Sequence, residues 1–177
     1  MLSYRKKAAF IKLLLLDVDG VLTDGGIYYS DYGENLKRFN TLDGQGLKYL
    51  MNSGIEPVII SGRSSKALKT RLDDLGFTQV FLGVHNKVEV AEQLLKRLEL
   101  DWSVVASMGD DWPDLPMLLK ASLSFAPPNA HQEIRKNVDY VTQCPSGAGA
   151  VREVCDIILK AKGLYDIILN KYLNEVK

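Results

Sequence analysis

Leu13-Leu-Leu-Leu16, followed at once by Asp17-Val-Asp19-Gly20, is the stretch that decides the fold. Four consecutive leucines form a continuous apolar run, which is typical of a strand buried on both faces of a parallel sheet. Two carboxylates at the end of such a strand are unfavourable unless a cation compensates their charge. The stretch therefore predicts a central strand that ends in a charged functional site.

The rest of the chain alternates between short β-prone runs and longer amphipathic segments. The predicted strands are residues 11–16, 57–60, 79–82, 103–106, 123–125 and 138–141. The predicted helices are residues 43–52, 64–75, 87–98, 115–120 and 130–136, with C-terminal helices within about 150–175. This alternation predicts an α/β fold of Rossmann-like type, a parallel sheet flanked by helices. With 177 residues, we expect one domain spanning residues 1–177.

One segment interrupts the alternation just after the first strand. Residues 26–39 contain two β-prone arms around the turn-rich stretch Ser30-Asp-Tyr-Gly33, which predicts an inserted β-hairpin. The hairpin residues Ile27, Tyr28 and Tyr29 would leave apolar surface uncovered. Such a patch usually marks an interface.

Charge and hydropathy exclude several classes of partner. Lys and Arg total 22, as do Asp and Glu, so the chain has no net positive charge to attract nucleic acid. No segment reaches the ~20 apolar residues that span a bilayer. Basic residues precede the apolar stretch 8–16 as in a signal peptide, but Lys12 interrupts it and no small-residue cleavage site follows. We expect a cytoplasmic protein with no membrane partner.

Polar and charged side chains follow four of the predicted strands. They are Asp17 and Asp19, then Ser61 with Arg63, then Lys87, and finally Asp110, Asp111 and Asp114. In open α/β sheets the functional residues lie at the carboxyl ends of the strands, so these side chains are expected to converge. Four chemically matched strand ends indicate an active site.

The motif Asp17-Val-Asp19-Gly20 alone has other interpretations. A calcium-binding EF-hand loop has glycine at its sixth position after a helix, whereas here glycine is fourth and a strand precedes it. The D-x-D motif of a nucleotide-sugar transferase would need a donor-binding half, which nothing in the chain supplies. A solvated turn would be the best interpretation of an isolated motif, but the buried strand argues against it.

Taken together, the motifs resemble those of the haloacid dehalogenase superfamily. The four ordered motifs are Asp17-Val-Asp-Gly-Val-Leu-Thr-Asp24, Ser61-Gly-Arg63, Lys87 and Gly109-Asp-Asp-Trp-Pro-Asp114. The hairpin, Phe39-Asn-Thr-Leu-Asp-Gly44 and Gly147-Ala-Gly-Ala-Val-Arg-Glu-Val-Cys155 are similar to its cap-less 3-deoxy-D-manno-octulosonate 8-phosphate phosphatases, which act in lipopolysaccharide sugar synthesis. The resemblance covers roughly residues 11–163.

The resemblance implies a Mg²⁺-dependent phosphomonoesterase that acts on a sugar-acid phosphate. Asp17 would be the nucleophile that forms an aspartyl phosphate, and Asp19 the general acid and base. Ser61 and Lys87 would oppose charge on the transferring oxygens. The implied metal ligands are Asp17, the backbone carbonyl of Asp19, and Asp110.

Two further acids have supporting roles in this scheme. Asp114 would orient Lys87 or a water on the metal. Asp111 is either a partner of the metal ligands or a helix N-cap.

The substrate's carboxylate calls for additional cations near the phosphate site. The substrate-binding residues implied by the resemblance are Asp19, Asn40, Thr41, Leu42, Asp43, Gly44, Lys48, Arg63, Arg71 and Lys87. Arg63 is expected to open a helix, with Arg71 about two turns further on a similar face. An ordinary role as solvated helix charges remains open for Arg71 and Lys48.

The chain departs from the family pattern at two positions. The family usually has arginine where this chain has Lys48, and lysine keeps the charge but loses the bidentate fork. The glycine-rich loop of the family often carries an arginine where this chain has Ala148.

Two alternative functions remain. One is a phosphatase of nine-carbon sialic-type acid 9-phosphates, whose pattern has an acid at the position of Arg63. The other is a non-catalytic binding or regulatory module, which the presence of Asp17, Asp19 and Lys87 disfavours.

The spacing of the motifs leaves no room for a cap domain. Between Gly20 and Ser61 only the hairpin is inserted, so neighbouring subunits are the remaining source of cover. The resembling family forms tetramers. We therefore expect a homotetramer in which an adjacent chain completes each active site.

Overall fold

The computed structural model describes residues 4–31 and 33–174. The strands are β1 Leu13–Leu16, β2 Tyr28–Ser30, β3 Gly33–Leu36, β4 Glu56–Ser61, β5 Gln79–Leu82, β6 Val105–Met108, β7 Leu123–Ala126 and β8 Tyr140–Val141. The helices are α1 Tyr4–Ala8, α2 Thr41–Asn52, α3 Lys66–Leu75, α4 Lys87–Arg97, α5 Leu115–Lys120, α6 Gln132–Asn137, α7 Ala150–Ala161 and α8 Tyr165–Asn174. Two short 3-10 helices cover Trp102–Val104 and Trp112–Asp114.

Six of the strands form one parallel sheet in the order β5-β4-β1-β6-β7-β8. The leucine strand β1 is central, between β4 and β6. Leu14 and Leu16 pack into one apolar cluster and Leu13 and Leu15 into another, so both faces of β1 are buried. The predicted class, a helix-flanked parallel sheet, is confirmed.

The hairpin lies outside this sheet. Strands β2 and β3 pair antiparallel as a separate two-stranded sheet. All three residues of β2 are exposed. Ile27 and Leu36 add exposed apolar surface beside them.

Several element boundaries differ from those that the sequence predicts. Helix α3 begins at Lys66 because the Ser65 side chain accepts a hydrogen bond from the backbone N–H of Leu68 at 3.2 Å. Strand β6 begins two residues late because Asp101 caps the preceding 3-10 helix. The short helix α1 was not predicted. Within the described residues, no helix has the length and apolar character needed to span a membrane.

Candidate active site

The predicted strand-end residues meet in one cleft of about 470 Å³. Because β1, β4 and β6 are neighbours and parallel, the segments after their carboxyl ends lie at the same edge of the sheet. The predicted residues that line the cleft are Asp17, Asp19, Ser61, Arg63, Lys87, Asp110, Asp111 and Asp114. A larger cavity of about 660 Å³ lies beside α7, but it contains none of these groups. The chemistry therefore belongs to the smaller cleft.

Lys87 is the central cation of the cleft. Its ammonium lies 2.8 Å from Asp17 Oδ1 and 2.5 Å from Asp114 Oδ1, and its side chain is buried. Burial alone would lower the pKa of Lys87, but the charges of Asp17 and Asp114 outweigh it, so the pKa lies above its ordinary value. Lys87 is thus a permanent positive charge beside Asp17.

The carboxylates exceed the cations. Burial, reinforced by repulsion from Asp114, raises the pKa of Asp17 to about 6 and that of Asp110 to about 8. One oxygen from each of Asp17, Asp110 and Asp114 lies within 4.8 Å of the other two. Five carboxylates and two cations, Arg63 and Lys87, line the cleft, which leaves a formal charge of −3. Such a cluster of hard oxygen ligands is suited to a divalent cation.

Glycines set the spacing of these acids. Gly20 has φ +84°, and a Cβ at this position would lie 2.0 Å from Asp110 Oδ2. A Cβ at Gly109 would lie 2.4 Å from the Cβ of Asp114. Both acids therefore reach the cleft only because a neighbouring residue lacks a side chain.

Asp114 and Asp111 organise the loop that carries Asp110. Asp114 Oδ2 accepts hydrogen bonds from the backbone N–H groups of Asp110 at 3.0 Å and Asp111 at 3.4 Å. Asp111 is exposed and occupies the N-cap of the 3-10 helix that follows it. The structure thus favours the helix-cap interpretation of Asp111.

The hairpin contributes two side chains that the sequence did not single out. Glu34 Oε2 lies 2.6 Å from Arg63 Nη2, and Glu34 Oε1 lies 2.9 Å from the Lys37 ammonium. The same ammonium donates to Asp19 Oδ1, and Arg63 Nε lies 3.5 Å from Asp19 Oδ2. Burial acts to lower the pKa of Lys37, but its bonds to Asp19 and Glu34 raise it above the ordinary value. Hairpin and strand ends therefore share one charged network.

The expectation that Arg63 opens a helix is wrong. Arg63 lies in the loop ahead of α3, because capping by Ser65 delays the start of that helix. Arg71 is on α3 but packs away from Arg63, with its guanidinium 6.0 Å from the centre of the Phe39 ring. The Arg71 guanidinium lies so close to Gly44 that a Cβ at residue 44 would be 2.4 Å from Arg71 Nη2.

The predicted substrate segment 40–44 lies outside the cleft within one chain. Asn40, Asp43, Gly44 and Arg71 instead border a separate small cavity, while Leu42 lines the large cavity by α7 together with Ala148. Thr41 and Lys48 are exposed on α2, and neither lines the cleft. The structure thus brings Arg71 to this segment and not to the strand ends.

Asp43 has a structural contact of its own. Its carboxylate accepts hydrogen bonds from the backbone N–H groups of Gly149 at 3.3 Å and Arg152 at 2.8 Å. Gly149 is the N-cap of α7 and has no side chain with which to cap it. Asp43, buried on α2, therefore caps a helix more than 100 residues away.

The two histidines lie near the site in different ways. His85 is exposed at the rim of the cleft. His131 donates its backbone N–H to the carbonyl of Asp110 at 2.8 Å, and its Nδ1 accepts from the Trp112 indole at 3.0 Å. His131 therefore has structural contacts with the loop that carries Asp110.

A central strand ending in Asp17 and Asp19, with Lys87 and the Asp110 loop beside it, defines a haloacid dehalogenase-like hydrolase. The profile of the haloacid dehalogenase-like hydrolases matches residues 83–154. The 3-deoxy-D-manno-octulosonate 8-phosphate phosphatase of Escherichia coli K12 is 46% identical over 160 residues, which are 90% of this chain and 85% of that protein. The chain belongs to the family of 3-deoxy-D-manno-octulosonate 8-phosphate phosphatases.

Solved structures of relatives have the same fold. The phosphatase from Moraxella catarrhalis, in complex with magnesium ion, phosphate ion and a KDO molecule, has a TM-score of 0.93 at 40% identity. That comparison covers 96% of this chain and 97% of the Moraxella chain. The phosphatase from Yersinia pestis has a TM-score of 0.90 at 42% identity, over 92% of this chain and 88% of that one.

Proposed function

We propose that the protein hydrolyses 3-deoxy-D-manno-octulosonate 8-phosphate to the free sugar acid and phosphate, in lipopolysaccharide precursor synthesis. The observation that carries the proposal is the buried Asp17 carboxylate, 2.8 Å from the Lys87 ammonium and two residues before Asp19. This arrangement supplies a nucleophile, a fixed positive charge and an acid–base group in one cleft. Family membership supplies the substrate class.

The residues of the cleft fit Mg²⁺. Mg²⁺ prefers a few carboxylate oxygens together with water and substrate oxygens, and Asp17 and Asp110 present such oxygens in a cluster that Lys87 only partly neutralises. Asp17, the backbone carbonyl of Asp19 and the side chain of Asp110 would hold the ion. When bound, Mg²⁺ neutralises negative charge and so permits a phosphate dianion to approach a carboxylate.

The protein's own residues then account for both half-reactions. Asp17 attacks phosphorus, forming an aspartyl phosphate as the bond from phosphorus to the sugar oxygen breaks. Asp19 gives its proton to the departing sugar oxygen. In the second half, Asp19 takes a proton from the water that attacks phosphorus, and the bond to Asp17 breaks. Ser61 and Lys87 oppose charge on the transferring oxygens.

Recognition of the substrate's carboxylate is assigned to Arg63 and Arg71. Arg63 lines the cleft beside Asp19 and can turn towards a sugar acid. The buried Nε of Arg71 has no hydrogen-bond acceptor among the described residues, which supports a role in binding an anion. Lys48 and the segment 40–44 are also proposed to bind substrate, because assembly of the oligomer would bring them to the cleft of an adjacent chain.

The proposed assembly is a homotetramer in the cytoplasm, with each active site completed by an adjacent chain. The hairpin supports this assembly, since Ile27, Tyr28 and Tyr29 are 44%, 47% and 70% exposed. An apolar strand left uncovered in one chain is suited to contact with another.

A panel assay tests the proposed function. Phosphate release would be measured with the octulosonate 8-phosphate, a nine-carbon sialic-type acid 9-phosphate and simple hexose phosphates, each with Mg²⁺. The octulosonate phosphate should have the highest kcat/KM. Preference for the nine-carbon acid would reassign the substrate, and absence of hydrolysis across the panel would favour the non-catalytic module.

A further inference from the structure

Lys37 is an almost fully buried lysine at the edge of the cleft. Its side chain is 1% exposed, and its ammonium contacts two carboxylates, Asp19 and Glu34. Lysine is rarely buried to this degree unless it is paired, because loss of hydration is unfavourable for the charge. A lysine on the surface of a hairpin ordinarily contributes to solubility. That role does not explain a lysine whose side chain is buried.

The two oxygens of Asp19 have different surroundings. Oδ1 accepts a hydrogen bond from Lys37. Oδ2 is buried and accepts no hydrogen bond from the described residues; its neighbour is Arg63 Nε, an ion-pair partner 3.5 Å away on a side chain that is 41% exposed. Asp19 and Arg63 both line the cleft. One oxygen is thus held by a buried lysine, whereas the other faces a half-exposed arginine that can move aside when a group enters the site.

We propose that Lys37 is a positioning residue that fixes Asp19 for proton transfer; the proposal rests on the proposed function. The ammonium holds Oδ1 as a hydrogen-bond acceptor, and so leaves Oδ2 as the oxygen of Asp19 that can face the substrate. Lys37 also stops the carboxyl group from rotating. Oδ2 gives its proton to the sugar oxygen as the phosphorus–oxygen bond breaks, and recovers one from the attacking water.

Glu34 completes this device. Its Oε1 pairs with Lys37 at 2.9 Å and its Oε2 pairs with Arg63 at 2.6 Å, so one carboxylate holds both cations beside Asp19. Glu34 therefore keeps the Lys37 ammonium in place when Asp19 becomes neutral. The hairpin thereby contributes to proton transfer within a single chain.

The test compares leaving groups. A sugar alkoxide needs a proton in order to leave, whereas the p-nitrophenolate of p-nitrophenyl phosphate leaves without one. The quantity to measure is kcat/KM, because it covers only the steps up to formation of the aspartyl phosphate. For Lys37→Met we expect kcat/KM with the octulosonate phosphate to fall about 10²-fold, while the value with p-nitrophenyl phosphate falls only a few-fold.

Three variants make the result decisive. Arg38→Met removes an exposed cation from the residue next to Lys37 and should leave both values unchanged. Lys37→Arg keeps the charge and should restore part of the loss. In an Asp19→Asn background, Lys37→Met should have no further effect on the sugar phosphate, since both residues act at one step.

Equal losses with the two substrates, or additive losses in the double variant, would overturn the proposal, as would an unchanged Lys37→Met enzyme. Thermal unfolding would show whether Lys37→Met is folded. If it is not, the two substrates would be compared with Lys37→Arg instead. Failure of the proposed function is visible separately, because the unaltered protein would then not hydrolyse the octulosonate phosphate.

Discussion

The strand ends and the hairpin meet at Asp19, yet they are held in place by different forces. Asp17 and Asp114 are buried at the end of a six-stranded sheet, where backbone pairing and close glycine contacts fix them. The hairpin is a two-stranded ribbon with an exposed β2, and ion pairs from Glu34 and Lys37 join it to the cleft. Two-stranded ribbons are marginally stable alone.

The two regions therefore have different roles in the proposed reaction. In the proposed mechanism, the groups that must be placed accurately around phosphorus are Asp17, Lys87 and Asp110, and these belong to the sheet end. The groups that are proposed to act on the departing sugar, Asp19 and Arg63, are those that the hairpin contacts. We therefore expect damage to the sheet end to stop the chemistry, and damage to the hairpin to weaken substrate handling and assembly.

The largest effect is expected at the sheet end. Asp17→Asn should lower kcat by roughly 10⁴-fold or more, because an amide is neither a nucleophile nor an anionic ligand. The fold should persist, since burial already disfavours the charged form of Asp17. Phosphate release and a thermal melt measure the two quantities, with the exposed Asp166→Asn on α8 as control. Near-normal turnover in Asp17→Asn would refute the covalent mechanism.

Removal of metal tests the same region without a mutation. Excess chelator should abolish phosphate release, and millimolar Mg²⁺ should restore it, because the cleft carries a formal charge of −3 that repels a phosphate dianion. Circular dichroism should show the sheet retained throughout. Full activity in chelator would contradict the metal dependence.

A smaller effect is expected from the hairpin. Changing both Ile27 and Tyr29 to Glu should dissociate the proposed tetramer and raise KM for the octulosonate phosphate by about tenfold, with little change in unfolding temperature. Light scattering and steady-state kinetics measure these effects. Phe10→Glu, at an exposed apolar residue outside the hairpin, is the matched control. An unaltered protein that is monomeric and fully active would show that neighbouring chains do not cover the site.

The smallest effect concerns stability of the metal-free protein. The folded-state pKa of Asp110, about 8, and that of Asp17, about 6, exceed the ordinary carboxyl value. The folded state therefore holds these protons more tightly than the unfolded one, so the stability that these two groups contribute is fully present below about pH 4 and is lost as pH rises to about 8. Asp110→Asn should reduce this decline by several degrees in unfolding temperature.

Thermal melts in chelator at pH 5 and pH 8.5 measure that decline, again with Asp166→Asn as control. Added Mg²⁺ should stabilise the unaltered protein more at the higher pH, where the ligands are ionised, and should stabilise Asp110→Asn much less. A pH profile identical in the two proteins would exclude Asp110 as its source.

The sheet end could be predicted because it depends on local patterns and one topological rule. A leucine run indicates a buried strand, and parallel strands bring their carboxyl ends to one edge, so Asp17, Ser61 and Asp110 follow from sequence. The side-chain contacts of Lys37 could not be predicted. A charged residue in a β-prone arm is ordinarily solvated, and no periodicity indicates that its ammonium turns inward.

The error at Arg63 and the unforeseen contact of Asp43 have a similar origin. The sequence predicts Arg63 at the start of a helix, but the first residue of that helix depends on which hydroxyl caps it. Ser65 is the cap, so the helix begins at residue 66 and not at residue 64. The motif of Asp43 predicts substrate binding, which stays a prediction, but the sequence does not predict its hydrogen bond from Gly149, because no local pattern relates those two parts of the chain.

The cap that Asp43 provides also bears on how the chain folds. Helix α7 has a glycine at its N-cap, and backbone N–H groups at its start donate hydrogen bonds to a carboxylate that lies 106 residues before that glycine. A contact of such long range forms only after its loop has closed, which delays it relative to local structure. During synthesis, α2 therefore lacks its packing partner α7 until α7 has left the ribosome. A nascent chain stalled before Gly149 should bind chaperones that recognise apolar helix faces.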